Sequence, residues 1–109
     1  MAIDWEDLGP AMLKAAKGVL KKKWGVVKDY AESEFKKLAE SLHLIEQLTL
    51  AGKITPEEAL LQLQIQRNAA RTVLLTVEGL GVLAAEQAIN AALEAVKPIV
   101  NGALGFALL

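Results

Sequence analysis

Residues 51–59 read Ala51-Gly52-Lys53-Ile54-Thr55-Pro56-Glu57-Glu58-Ala59, and this stretch ends one helix and begins another. Gly52 lacks a Cβ atom and therefore readily takes the left-handed backbone conformation that closes many helices. Thr55 is a favourable N-cap, Pro56 suits the first helical position, and Glu58 completes a capping box. The stretch therefore predicts a tight turn with a long helix-compatible arm on each side.

The predicted fold class is all-α, with one helical domain over residues 1–109. Its parts are an N-terminal lead-in (1–9), a first helix (10–51), a turn (52–55), a second helix (56–97) and an apolar tail (98–109). In this form the two arms make a long antiparallel hairpin of about 60 Å that self-associates into a bundle. The alternative is a compact monomeric four-helix bundle, in which the arms break at Gly25 and at Gly79/Gly81.

Apolar residues in the first arm recur at helical spacing and predict the buried face of an amphipathic helix. They are Leu20, Trp24, Val27, Ala31, Phe35, Leu38, Leu42 and Ile45. The second arm loses its polar face beyond Thr72, and a helix that is apolar on every side must be buried. Lys97-Pro98 is expected to end this arm, because proline disfavours a helical residue before it.

The turn also carries a local resemblance to a known module. Residues 48–61, read as Leu-x-x-x-Gly-x-Ile-Thr-x-Glu-Glu, resemble the turn of short C-terminal helical-hairpin (SHOCT-like) modules. This resemblance covers about 14 residues and implies a helical hairpin, with no function attached to it.

Composition excludes several classes of function. The 53% hydrophobic content argues against disorder, and the net charge of −1 gives no overall attraction to nucleic acid. Because cysteine is absent, disulfides and thiolate chemistry are excluded. The acidic N-terminus does not resemble a secretory signal, and no uncharged run reaches the roughly 20 residues of a membrane span. The expected location is cytoplasmic, with peripheral contact to a membrane as a further possibility.

Glu40 and His43 have the Glu-x-x-His spacing that di-iron helical bundles use. On a helix, however, both lie away from the predicted buried stripe, and a metal site needs carboxylates from facing helices as well. We therefore expect a solvated helix face here, with a metal site, formed within the chain or completed by another subunit, as the less favoured alternative. No catalytic residue, cofactor, metal or small-molecule substrate is predicted, and the chain is expected not to be an enzyme.

A cluster of lysines around Trp24 is the most distinctive charged feature. Its members with a predicted surface role are Lys14, Lys17, Lys21, Trp24 and Lys28. A cationic amphipathic helix with a tryptophan is typical of segments that lie on anionic membranes. The favoured interpretation is nevertheless the solvated outer face of a bundle helix, with membrane contact as the first alternative and a nucleic-acid surface as the second.

Glu78, Glu86 and Glu94 recur every eight residues in the second arm. If the arms pair along their whole length, these carboxylates lie near the levels of Lys28, Lys21 and Lys14, listed in the same order. The spacing therefore suggests inter-arm ion pairs that fix the register, with a solvated edge as the alternative.

Excess apolar surface predicts a homo-oligomer, dimeric or larger. The residues predicted at its interface are Leu44, Leu48, Leu50, Leu74, Leu75, Leu80, Leu83 and Ile89. Two functions follow as hypotheses: a non-enzymatic oligomerisation or scaffolding module, or a membrane-active protein that uses the lysine helix and inserts residues 73–109.

Overall fold

The structure is a computed structural model that describes residues 5–109, and of Trp5 it describes the backbone only. These residues form four α-helices, joined by a 3-10 turn and two short connections, and no strand. The elements are α1 (Trp5–Leu20), the 3-10 turn (Lys21–Lys23), α2 (Trp24–Leu50), α3 (Pro56–Leu74) and α4 (Val82–Leu104). The all-α prediction is confirmed. Residues 1–4 of the predicted lead-in lie outside the described part of the chain.

The helices pack as a compact bundle, which is the alternative form of the predicted fold. α1 turns back along α2, so that a Cβ atom at Gly9 would lie 3.9 Å from the Cβ of Ala39. The longest dimension is 42 Å, well short of a straight 40-residue arm. α1 also packs extensively on α4, and α2 packs on α3. Each predicted arm is thus bent into two helices.

The first bend lies earlier than expected. The chain turns at Lys21–Lys23, and Lys21 has a positive φ of 49°, whereas Gly25 lies inside the first turn of α2. Packing explains the position, because Leu20 is buried and Trp24 is half-buried on either side of three exposed lysines.

The other two connections follow the sequence signals. Gly79 and Gly81 have φ values of 83° and 81° in the α3–α4 connection, as the predicted second break requires. At the central turn Gly52 has a φ of 72°, and both hydrogen bonds of the capping box form between Thr55 and Glu58, each 3.1 Å long.

The core combines residues from all four helices. On α2 the predicted apolar stripe is buried from Val27 to Ile45, with Phe35 fully enclosed. Residues from the other helices close the core, among them Met12, Ala16, Leu63, Leu74, Ile89 and Val96. Burial of this set is the main source of the bundle's stability.

The C-terminal helix runs past the point where it was expected to end. α4 continues through Pro98 to Leu104, so the prediction of a helix end at residue 97 is wrong. Burial of Val96, Val100 and Leu104 outweighs the hydrogen bond that proline removes. After Leu104 the tail folds back, and the Asn101 side-chain oxygen accepts hydrogen bonds from the backbone N–H groups of residues 108 and 109, both 3.0 Å.

Candidate functional site at the lysine-rich end

The turn between α1 and α2 forms a cationic end of the bundle. Residues 14–28 contain six lysines and no aspartate or glutamate, and all six lysines are exposed. The ammonium of Lys17 lies 5.8 Å from the centre of the Trp24 ring, within cation–π range. Trp24 is therefore partly covered by Lys17 and anchors the lysine segment to the bundle.

The connection between α3 and α4 lies beside the lysine turn. Lys23 Nζ donates a hydrogen bond of 3.0 Å to the backbone carbonyl of Leu80, 57 residues along the chain. α4 begins just after this contact, and no side chain caps its first N–H groups, so the positive end of its dipole adds to the local potential. Two distant segments therefore share one end of the molecule.

The α3–α4 connection and the first residues of α4 add exposed apolar side chains to this end. Leu83 is 69% exposed, Val82 is about half exposed, and Leu75 is partly exposed. Val77 and Leu80 point inward and are buried, which fixes the backbone of the connection. We call the surface formed by Lys21–Lys23, Leu75 and Val82–Leu83 the lysine-rich end. It combines cations with aliphatic groups that nothing in the described bundle covers.

The near-zero net charge hides a strong asymmetry. Of the 12 basic residues, six lie between residues 14 and 28, and the other six are outnumbered by all 13 acidic residues. Glu78 is the acidic residue of the α3–α4 connection, near Lys22 and Lys23. The lysine-rich end is thus the positive end of an otherwise acidic molecule.

The predicted pairing of Glu86 and Glu94 with lysines of the first arm is wrong. Glu86 Oε1 lies 3.1 Å from Arg71 Nε, and Glu94 Oε1 lies 3.7 Å from Lys97 Nζ. Since the second arm folds on itself, α4 faces α3 along this edge, and Arg67 likewise hydrogen-bonds Asn90. Lys21 and Lys14 are therefore not the partners of Glu86 and Glu94.

The predicted interface leucines divide into two groups. Leu74, Leu80 and Ile89 are buried within the single chain and do not form an exposed surface, because the compact bundle covers the faces that a long hairpin leaves open. The remaining five are exposed or half-buried at separate places: Leu44, Leu48, Leu50, Leu75 and Leu83.

Glu40 and His43 line an open cleft between α1 and α2. The cleft has a volume of about 390 Å³ and an apolar floor that includes Leu13, Phe35 and Ala39. Across residues 5–109 no group of three or more histidine, aspartate or glutamate side chains is arranged to hold a metal ion. The pair therefore gives no support to a di-iron site.

Comparison with protein-family models, with curated proteins and with solved structures finds no match to this chain. Among the described helices, none has the length and apolar character needed to cross a membrane.

The sequence predicted a surface role for Lys21 and an oligomer interface that included Leu75 and Leu83, but it did not bring these residues together at one end. Val82 was not among the predicted site residues, because nothing local distinguishes it from Leu80. The available signal was the pair Gly79 and Gly81, which predicts a connection and therefore exposed residues beside it.

Proposed function

We propose that this chain is a peripheral protein that docks on anionic membrane surfaces through its lysine-rich end. The observation that carries the proposal is the contact between Lys23 and Leu80, which places the lysine turn beside the segment that leads into the exposed Val82 and Leu83. Anionic lipid headgroups match the cations, and the acyl boundary beneath them matches Leu83 and Val82.

The electrostatic contribution is substantial. Each lysine near an anionic leaflet contributes about 1 kcal/mol of attraction, so the three turn lysines together supply about 3 kcal/mol. The acidic remainder of the molecule is repelled by the same surface. Attraction at one end and repulsion elsewhere orient the bundle with Lys21–Lys23 towards the lipid.

The aliphatic side chains favour a membrane over a nucleic acid. Burying the exposed part of Leu83 adds about 1–2 kcal/mol when it enters the acyl boundary. A single-stranded nucleic acid would instead need exposed aromatic rings on which bases stack. Trp24 is half-buried and lies under Lys17, so it does not offer such a platform.

Docking at the surface replaces the idea that residues 73–109 insert into the bilayer. Leu74, Ile89, Val96 and Val100 from that region are buried in the core, and inserting them would require the bundle to open. The lysine-rich end needs no such opening, because its apolar groups are already exposed.

Cosedimentation with vesicles tests the proposal. We expect binding to phosphatidylserine-containing vesicles, little binding to pure phosphatidylcholine, and loss of binding as salt rises. Lys22→Glu should weaken binding at least tenfold, whereas Lys53→Glu, the same charge change in the α2–α3 turn at the opposite end, should have a smaller effect.

A second pair of variants separates the apolar contribution from charge. Leu83→Ser should weaken binding about tenfold, while Leu61→Ser, at a residue 59% exposed on α3, should leave it unchanged. Equal binding of the two lysine variants, or no binding of the unmodified chain to anionic vesicles, would refute the proposal.

A further inference from the structure

A second surface runs along the outer face of α2. Seven of its residues succeed one another at steps of 4, 3, 4, 4, 3 and 4: Val26, Tyr30, Ser33, Lys37, Ser41, Leu44 and Leu48. At 100° per residue they lie within about 80° of one another, on the side of α2 away from the centre of its buried stripe. We call these seven residues the outer stripe.

The outer stripe is not covered by the described bundle. Val26 is 66% exposed, Leu44 is 53% exposed and Tyr30 is 48% exposed, while Leu48 is half-buried. α2 therefore carries apolar residues on two faces, although packing in its own bundle uses one of them. The exposed apolar residues form two pairs, Val26 with Tyr30 and Leu44 with Leu48, on either side of a polar centre, and neighbouring exposed apolar groups of this kind are typical of protein-binding surfaces.

The outer stripe is symmetric about Lys37 in the spacing and the chemical character of its residues. Val26 and Leu48 lie 11 residues from Lys37 on either side, and Tyr30 and Leu44 lie seven residues from it. Ser33 and Ser41, which are the two serines of the chain, lie four residues from it. A two-fold axis through Lys37, perpendicular to the helix, thus brings apolar residues onto apolar residues and serines onto serines.

We propose that the outer stripe binds the outer stripe of a second copy of this chain, with the two α2 helices antiparallel. In such an isologous contact each Leu44 packs on the partner's Tyr30, and each Leu48 packs on the partner's Val26. The two-fold axis produces four contacts between apolar residues, two of Leu44 with Tyr30 and two of Leu48 with Val26. This self-complementarity indicates that a second copy of the chain binds here.

The middle of the stripe is suited to close helix packing. Serine side chains are small, so the helices can approach to the 8–10 Å that is usual between packed helices. The Ser41 hydroxyl donates a 2.9 Å hydrogen bond to the carbonyl of Lys37, so it can be buried without losing a partner.

The charge at the centre is already neutralised within each copy. Lys37 Nζ lies 3.2 Å from Glu34 Oε2, and Glu34 is buried. The two Lys37 side chains that meet near the axis therefore come with their own counter-ions. This arrangement reduces the repulsion that two bare lysines would impose on a symmetric contact.

Charge also favours antiparallel over parallel packing. A parallel dimer would place the lysine turn at residues 21–23 beside the same turn of the partner, and like charges would repel. The antiparallel dimer places that turn at the level of the partner's α2–α3 turn, which holds Lys53 and is followed by Glu57 and Glu58 at the start of α3. The lysine turn then meets one base and two acids, so the repulsion is smaller than between two lysine turns.

Light scattering in lipid-free buffer tests the dimer independently of membrane docking. We expect a dimer for the unmodified chain and for Lys36→Glu, which changes charge on the side of α2 that faces the α1–α2 cleft. Lys37→Glu places carboxylates near Glu34 at the axis and should raise the dissociation constant at least tenfold. A monomer at high micromolar concentration, or equal effects of the two variants, would overturn the proposal.

Disulfide crosslinking tests the relative orientation of the two α2 helices. Because the chain has no native cysteine, only the introduced cysteines can react. Tyr30→Cys and Leu44→Cys lie about 21 Å apart along the helix, at 1.5 Å per residue. In the antiparallel dimer neither variant alone should form an intermolecular disulfide, because like positions are too far apart. An equimolar mixture should form the mixed disulfide. Rapid crosslinking of either variant with itself would show a parallel dimer and overturn the proposal.

Discussion

Replacing Lys21 with glycine should make the bundle more stable and its membrane binding weaker. Lys21 has a φ of 49°, in the left-handed region that costs a residue with a side chain about 1–2 kcal/mol. Glycine removes this cost but gains about 0.5–1 kcal/mol of conformational entropy in the unfolded chain. The expected net gain in the free energy of unfolding is about 0.5–1 kcal/mol.

The same substitution removes one cation from the lysine-rich end. At about 1 kcal/mol per lysine near an anionic leaflet, the vesicle partition coefficient should fall about fivefold. Stability and binding should therefore change in opposite directions. A backbone conformation that costs stability while presenting a charge is typical of a functional segment.

Lys22→Gly is the matched control. It removes the same charge from the next residue, but Lys22 is not among the residues with positive φ, so glycine relieves no strain there. This control should lose about 1 kcal/mol of stability and about the same fivefold in vesicle binding. Urea unfolding and cosedimentation with phosphatidylserine vesicles measure the two quantities.

Either of two results would contradict these expectations for Lys21. If Lys21→Gly destabilises the chain as much as Lys22→Gly does, the left-handed backbone at residue 21 costs the folded chain no free energy. If Lys21→Gly binds anionic vesicles as well as the unmodified chain, the turn lysines do not face the lipid.

Three further predictions concern the fold. Phe35→Ala should lower the free energy of unfolding by about 3–5 kcal/mol in urea titration, because the ring is fully buried, whereas Leu61→Ala at an exposed site should change it little. Asn101→Ala should cost about 1–2 kcal/mol and speed hydrogen exchange at the Leu108 amide, whose acceptor it removes. Glu46→Leu should raise the thermal midpoint, because the buried Glu46 Oε2 has no hydrogen-bond partner in the described structure.

Local signals in the sequence were sufficient for the central turn. The capping box between Thr55 and Glu58 and the left-handed Gly52 depend on residues that are near neighbours in the chain. Such contacts form in almost any tertiary setting, so their prediction is confirmed. The buried stripe of α2 was predictable for a related reason, since helical spacing alone selects one face.

Features that depend on packing between distant segments were not predictable in the same way. The bend at Lys21–Lys23 is set by what Leu20 and Trp24 contact, and the glycine at position 25 proved unnecessary for it. The continuation of α4 through Pro98 likewise depends on burial around Val100. The ion-pair partners of Glu86 and Glu94 were mispredicted for the same reason. When each arm folds back on itself, the residues that lie opposite these glutamates are different from those in a long hairpin.

The outer stripe was only partly predictable from the sequence. Leu44 and Leu48 were among the predicted interface residues, whereas Tyr30, Ser33 and Ser41 were not, because the helical spacing of the strongly apolar residues selects the buried face first. The exposed residues of α2 have a helical spacing of their own, centred on Lys37.

The lysine-rich end and the outer stripe can operate together because they occupy different directions of the molecule. The stripe faces sideways from α2, whereas Lys21–Lys23 and Leu83 lie at an end of the long axis. An antiparallel pair therefore leaves one lysine-rich end at each extremity of the dimer. In that arrangement a flat membrane engages one end at a time, so dimerisation should not multiply affinity for a single surface. Vesicle clustering by the unmodified chain, and its loss in Lys37→Glu while vesicle binding persists, would be the signature of both surfaces acting in one assembly.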